Sequence, residues 1–228
     1  MFRISVSTLE KFRRVKLGLT QFDTEEALIQ AIRGLFTGND KTKTGGAFHK
    51  VIEGEYKVLD SEEEWVLADE FLFTRSQAAP AIAYKKAHPS MIHEIPVNKI
   101  YSVGDYAVKV SGRVDGLEGM HVRDPKTIYK TPNLQDYIDS YQWRYYLELL
   151  GLDVFYYDVF EVRGFKSLPS KMPYVLARVE FLAPVDIQCL RYTDMDKDCE
   201  VLLREFMSYI ESKNLLHILK IDNEPALL

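Results

Sequence analysis

Residues 111–127, Ser-Gly-Arg-Val-Asp-Gly-Leu-Glu-Gly-Met-His-Val-Arg-Asp-Pro-Lys-Thr, leave this chain fewer options than any other stretch. Val108, Val110, Val114 and Val122 are strand formers, and Gly116 and Gly119 supply a bend, so the pattern predicts a β-hairpin. Asp124 and Lys126 are two apart, which on a strand puts both side chains on one face. Asp115 lies on the preceding strand, where hairpin pairing lets it approach Asp124. Two carboxylates that close repel, and each has a raised pKa unless a cation neutralises them. A divalent metal is the simplest neutraliser, and oxygen ligands favour a hard ion, Mg2+ or Mn2+. Lys126 beside them is suited to polarise an anionic substrate or to stabilise charge developing on it.

Composition narrows the class without naming a function. A chain of 228 residues, 46% hydrophobic and 28% charged, is expected to form one elaborated α/β domain with its own core. No apolar run approaches the ~18 residues that a membrane-spanning helix needs. Residues 1–4 are expected to lead straight into a capped helix, without the basic-then-apolar pattern of a secretory leader. The two cysteines, Cys189 and Cys199, are expected to be free buried thiols in a reducing cytoplasm. The net charge of −5 does not favour nucleic acid on bulk electrostatics. A local basic patch and a site that carries its own metal remain compatible with it.

Along the chain, residues 5–16 read as a short helix with Ser7 and Glu10 as a capping box and a basic face of Lys11, Arg13, Arg14 and Lys16. That face is either a solvated surface or, through Arg13 and Arg14, a phosphate contact. Residues 23–34 read as a second helix with Asp23 and Glu26 as its N-terminal signal and a stripe of Leu28, Ala31, Ile32 and Leu35. Residues 37–46 read as a polar loop whose spacing fails the phosphate-binding P-loop pattern. Residues 45–54 read as a helix burying Phe48, Val51 and Ile52, with His49 and Glu53 sharing another face. On its own, His49 is a core or surface histidine.

Residues 61–87 read as one longer helix opened by Ser61 and Glu64 and divided at Pro80, and residues 91–97 begin the sheet. There Glu94 is a charge in a strand-like run and, taken alone, an edge carboxylate. Residues 131–151 read as an amphipathic helix ending on Gly151. Residues 153–163 and 174–182 read as a strand pair completing the sheet, and residues 194–213 as a terminal amphipathic helix ending near Asn214.

Gly112-Arg-Val-Asp115 followed by Asp124-Pro-Lys126-Thr127 resembles the PD-(D/E)xK nuclease superfamily, in particular its RecB-like and phage exonuclease branch. Four further features in the family's order carry the resemblance over residues 5–146. They are the Ser-x-Ser-x-Leu-x-x-Phe opening, Gly-x-x-His at His49, Glu94 on the strand before Asp115, and Gln142-x-x-x-Tyr146. The resemblance implies a single domain with a restriction-endonuclease-like αβββαβ core over about 44–182, N-terminal helices over 5–36 and a C-terminal helix over 194–213.

It also implies a metal site formed by His49, Asp115, Asp124 and the carbonyl of Pro125, with Glu94 and Lys126 completing the catalytic set. Gln142 and Tyr146 would contribute to DNA binding and buttress the site, although a packed helix would show the same residues. The implied activity is Mg2+- or Mn2+-dependent hydrolysis of DNA, first of all as an end-dependent exonuclease of phage-type recombination or repair. The alternatives are a structure-specific or single-strand endonuclease of the same superfamily, or a non-catalytic DNA- or protein-binding member. Two cysteines are too few for the four-cysteine iron–sulfur cluster that some RecB-like nucleases carry. Implied partners are DNA and a recombination protein such as a single-strand annealing protein. Ring-forming relatives leave a homo-oligomer open, with no interface signature in this sequence.

Overall fold

A computed structural model describes residues 1–35, 38–59 and 64–222. In chain order the elements are β1 (Phe2–Ser5), α1 (Val6–Leu17), α2 (Glu25–Arg33), α3 (Asp40–Glu53), β2 (Lys57–Val58), β3 (Val66–Ala68), β4 (Phe71–Phe73) and α4 (Arg75–Ala87). There follow β5 (Ile92–Val103), β6 (Tyr106–Glu118), β7 (His121–Ile128), α5 (Leu134–Ile138), α6 (Gln142–Leu150), β8 (Val154–Arg163), β9 (Tyr174–Val175), β10 (Glu180–Phe181), β11 (Val185–Leu190), α7 (Met195–Ser212) and β12 (Lys220–Ile221). The architecture is mixed α/β.

The larger sheet runs β10–β8–β7–β6–β1–β12, with β11 also on β8 and β5 also on β6. The β7–β8 and β1–β6 pairs are parallel and the rest antiparallel. Helices cover both faces. The side chains of β8 alternate between them: Phe155, Tyr157 and Val159 join a core with Leu9, Phe12, Leu147 and Phe206 of α1, α6 and α7. Phe160 and Val162 join a second core with Phe48, Val51 and Ala81 of α3 and α4 and with the small sheet β2–β3–β4–β9. A parallel pair covered on both sides is mostly apolar on both sides, and β8 is, apart from the buried Asp158.

The topology of β6 positions everything that follows. β5 pairs with it along nearly its whole length, from Ile92 opposite Leu117 to Val103 opposite Tyr106. A strand has two edges, so β1 and β7 share the other one. β1 takes Val108 to Ser111 and β7 takes Gly116 to Glu118. Residues 112–115 lie in the fork between them.

Several expectations are corrected. Residues 64–87 do not form one helix: β3 and β4 make a hairpin, and the helix starts only at Arg75. Val66, Ala68, Phe71 and Phe73 are buried against α3 and β10, so tertiary contact with a second sheet overrides the helical pattern. The capping box is Thr74 with Gln77, Pro80 sits inside the helix without dividing it, and Ser61 lies outside the described residues. The supposed loop over 37–46 becomes helix from Asp40, because Asn39 accepts the Thr42 amide and caps it. The first helix is capped by Ser5, not Ser7, and the second by Thr24 rather than Asp23. Leu35 lies exposed beyond that second helix instead of in its stripe.

The helix expected over 131–151 is broken between Asp139 and Tyr141. The Glu10 carboxylate accepts the Tyr141 amide at 2.8 Å, and the indole of Trp143 donates to the Ile138 carbonyl at 3.1 Å. β1, β11 and β12 extend the sheet beyond 44–182, and only β10 of the expected second strand pairs with β8, while β9 joins the small sheet. The bend of the hairpin falls at Gly119, with φ +59°, and Gly116 stays in the strand. A Cβ there would meet the Met91 sulfur at 2.5 Å. The terminal helix lies where the sequence places it, followed by Asn214 at φ +56°.

Candidate active site

The fork in β6 brings the acidic residues together. The β6–β7 register, Gly116 opposite Arg123, sets Asp115 opposite Asp124 just where the two strands part. Lys126, two residues on, returns to the Asp124 face and its ammonium lies 2.8 Å from Asp124 Oδ1. The other Asp124 oxygen, Oδ2, is buried and has no hydrogen-bond partner. Burial, with Asp115 adding to it against the pull of Lys126, drives the Asp124 carboxyl well above the usual carboxylate range. Burial also works to raise Asp115, but Lys126, the neighbouring Asp124 carboxyl and His49 outweigh it, and Asp115 stays ionised below its ordinary value. Burial works to lower Lys126, and the two carboxylates outweigh it and raise it. The two carboxyls are thus pushed in opposite directions beside a firmly charged lysine.

His49 arrives from α3. Its Nδ1 lies 4.0 Å from Asp115 Oδ2, and the Pro125 carbonyl is within hydrogen-bonding reach of the ring. Burial lowers its pKa despite Asp115, so the imidazole is neutral, the form that ligates metals. Helix α3 can come this close because it carries Gly45: a Cβ there would meet the Thr127 hydroxyl at 2.5 Å. On the opposite side Tyr146 of α6 donates to the Arg113 carbonyl at 2.9 Å, inside the fork where β1 and β7 leave it unpaired. Gly112 makes room for that ring, since a Cβ would lie 2.6 Å from Tyr146 Cε1. The glycine and the tyrosine of the two sequence motifs are thus parts of one contact.

The remaining candidates are placed less directly. Glu94 sits opposite Asp115 in the β5–β6 register, at φ +58°, an uncommon backbone conformation for a residue with a side chain. Its carboxylate is bound by Arg113 at 2.9 Å and lies on the rim rather than on the acid pair. Its neighbour His93 reaches the Asp115 carbonyl at 3.2 Å. Gln142 opens α6 within reach of the Tyr146 hydroxyl.

The basic face of α1 is consumed by ion pairs. Arg13 binds Glu10 through 2.7–3.3 Å contacts, Arg14 and Lys11 clamp the buried Asp23, and Lys16 reaches Glu205 at 2.6 Å. Two cavities open from Lys126. One, of about 670 Å³, runs along α1 past Arg13, Arg14 and Gln142, and one, of about 610 Å³, runs along α3 past Lys41, His49 and Glu94. No local spacing in the sequence marks Lys41.

The residues fit a hard divalent cation on one observation: the orphaned Asp124 oxygen faces a second carboxylate. Among the described residues no three Asp, Glu, His or Cys side chains form a closed ligand trio. The set is instead two carboxylates, with the imidazole and the Pro125 carbonyl at its border.

No protein-family model matches the chain, and no curated protein matches it. Among solved structures it is similar to one described as "Crystal structure of SSO0001", with a TM-score of 0.47 and 13% identity over 92% of this chain and 77% of that one. A likeness of that degree carries no argument about activity. No helix among the described residues is long and apolar enough to cross a membrane, and Cys189 and Cys199 are both buried and free.

Proposed function

We propose that this protein is a metal-dependent deoxyribonuclease of the PD-(D/E)xK type, hydrolysing phosphodiester bonds. The observation that carries the proposal is the unsatisfied oxygen of Asp124, buried opposite Asp115 and beside Lys126. A buried carboxylate oxygen left without a partner costs about 1–3 kcal/mol, a penalty that a bound cation removes. The element order supports the reading as well. α3, β5, β6, β7, α6 and β8 come in the order α, β, β, β, α, β, with β2–β4 and α4 inserted after α3 and the short α5 inserted before α6.

In this reading Asp115, Asp124, His49 and the Pro125 carbonyl hold Mg2+ or Mn2+. The bound ion supplies positive charge against a phosphate oxygen and makes water a better nucleophile at neutral pH. Lys126 keeps its proton and therefore acts as a donor and a charge toward the phosphoryl group, not as a base. Tyr146 holds the fork open from the α6 side, and Glu94 contributes negative charge at the rim.

The test compares end-labelled linear duplex with covalently closed circular DNA, with and without Mg2+ or Mn2+. Metal-dependent loss of the linear form alone is expected for an exonuclease, and nicking of the circle would make the enzyme an endonuclease. Lys126→Ala is expected to lower the rate by about 10²–10³-fold, the scale of one lost transition-state donor. Asp115→Ala is expected to abolish cleavage with the fold intact. Either variant cutting at the wild-type rate, or a wild type inert on all these substrates, sinks the proposal.

A further inference from the structure

The two cavities that meet at Lys126 differ in what their cations are already doing. Along α1 every Arg and Lys of the lining has a carboxylate. Arg13 is held by Glu10, Arg14 by Asp23, Lys130 by Asp136 at 3.4 Å, and Lys126 by Asp124. Asp139 adds a further negative charge to that wall. A phosphate entering there would have to compete for cations that are spoken for and pass three acids.

Along α3, Lys50 is likewise held by Glu53 and Glu55, and Glu53 and Glu94 line the wall, but the position of Lys41 is different. Among the described residues it has no carboxylate partner. Its ammonium lies over the Tyr129 ring, 5.2 Å from the centroid, and the Tyr129 hydroxyl donates to the Lys41 carbonyl at 2.9 Å. Tyr129 is itself braced by Phe165, ring to ring at 5.0 Å. Lys166, next to Phe165 and exposed, likewise has no carboxylate among the described residues. A lysine held at both its main chain and its ammonium has lost part of its conformational freedom in advance, so an anion it meets costs less ordering. The wall between Lys41 and His49 contains Gly46, where a side chain would meet nothing within 4 Å, so the backbone there is open to close approach.

Resting on the nuclease reading, we infer that the substrate strand enters along α3, and that Lys41, positioned by Tyr129, binds a backbone phosphate next to the one cleaved. Lys41 is then a substrate-binding residue, Tyr129 a positioning residue, and the α1 cavity is not the strand's path. The contact is to the sugar–phosphate backbone and carries no sequence preference.

The experiment measures steady-state cleavage of linear DNA in Mg2+ or Mn2+ over a range of salt concentrations. It compares wild type, Lys41→Gln, Tyr129→Phe, Arg14→Gln and Lys126→Ala. Lys41→Gln is expected to raise KM roughly tenfold with kcat kept, as for one lost hydrogen bond to a charged group. It is also expected to reduce the slope of log(kcat/KM) against log[salt] by about one. Tyr129→Phe is expected to show a smaller rise in KM, and Arg14→Gln to stay within about twofold of wild type. If wild type cuts in a Lys126-dependent way but Lys41→Gln matches it in KM and salt slope, or Arg14→Gln carries the effect instead, the inference is overturned and the nuclease reading stands. If wild type does not cut, both fall. An unchanged thermal midpoint for Lys41→Gln, whose side chain is exposed, separates lost binding from lost folding.

Discussion

Arg123 and Asp124 are neighbours on β7, and they lead into two buried charged clusters on opposite sides of the sheet. On the α4 side Arg123 donates to Asp158 at 2.7 Å and to Glu118 at 3.2 Å, and lies over the Tyr156 ring at 4.6 Å. The Tyr84 hydroxyl takes the other Asp158 oxygen, and His88 meets Glu118 at 2.7 Å. That cluster is closed: both oxygens of its buried carboxylate are bound. On the α6 side Asp124 has one oxygen on Lys126, one on nothing, and a second carboxylate across the fork. The same strand thus carries a satisfied network and an unsatisfied one. The difference separates a cluster that locks elements together from one that waits for a ligand.

Three substitutions would break or sharpen this contrast. The largest effect on stability is expected from Arg123→Ala, which strands Asp158 inside the protein. Removing one partner of a buried pair costs about 3–5 kcal/mol, readable as a fall in the denaturation midpoint. Cleavage per folded molecule should survive, and a variant as stable as wild type would show that the α4-side cluster locks nothing. A smaller loss is expected from Asp115→Asn in metal-free buffer. Burial works to raise Asp115 but Lys126, Asp124 and His49 outweigh it, so removing its charge should cost about 1 kcal/mol of stability while cleavage is lost, and a stabilised variant would count against that balance.

The smallest effect is a slope with pH. Burial first, with Asp186 adding to it, pushes Asp158 up to about 6. A carboxyl that binds its proton more tightly in the folded state contributes stability that is complete below its ordinary value of 3.8 and is lost as pH rises to about 6. Asp23 runs the other way. Burial works to raise it, but Lys11, Thr20 and Arg14 outweigh that and hold it at about 2, so its contribution is present above 3.8 and lost as pH falls to about 2. Unfolding titrations of Asp158→Asn should therefore be flatter than wild type between pH 4 and 6. An unchanged slope would assign that pH dependence to other carboxyls.

How much of this is legible in the chain depends on how local each feature is. The hairpin needs only the valine alternation and Gly119, and the facing of Asp115 and Asp124 follows from its register. The terminal helix and the ends at Gly34, Gly54 and Gly151 follow from amphipathic runs closed by glycines at positive φ. The hairpin of β3 and β4 is not legible, because Phe71 and Phe73 pack on rings distant in the chain, Phe71 on Tyr174 and Phe73 on Phe48 and Phe181. Glu10 shows the same limit. Three residues after a serine it imitates a helix cap, whereas in the fold it binds Arg13 and breaks the helix near Tyr141.

By itself, the sequence determined that this chain builds a mixed α/β domain around an acidic hairpin with a lysine two residues past an aspartate. Those properties lie in the periods of two and 3.6 that a strand or a helix imposes on its own residues. Only the tertiary structure decided that β1 and β7 part around residues 112–115, that His49 reaches the acids from α3, and which cations are already paired. Those outcomes depend on which distant carboxylate, carbonyl or ring fills each unsatisfied group first. Sequence spacing carries no record of that competition.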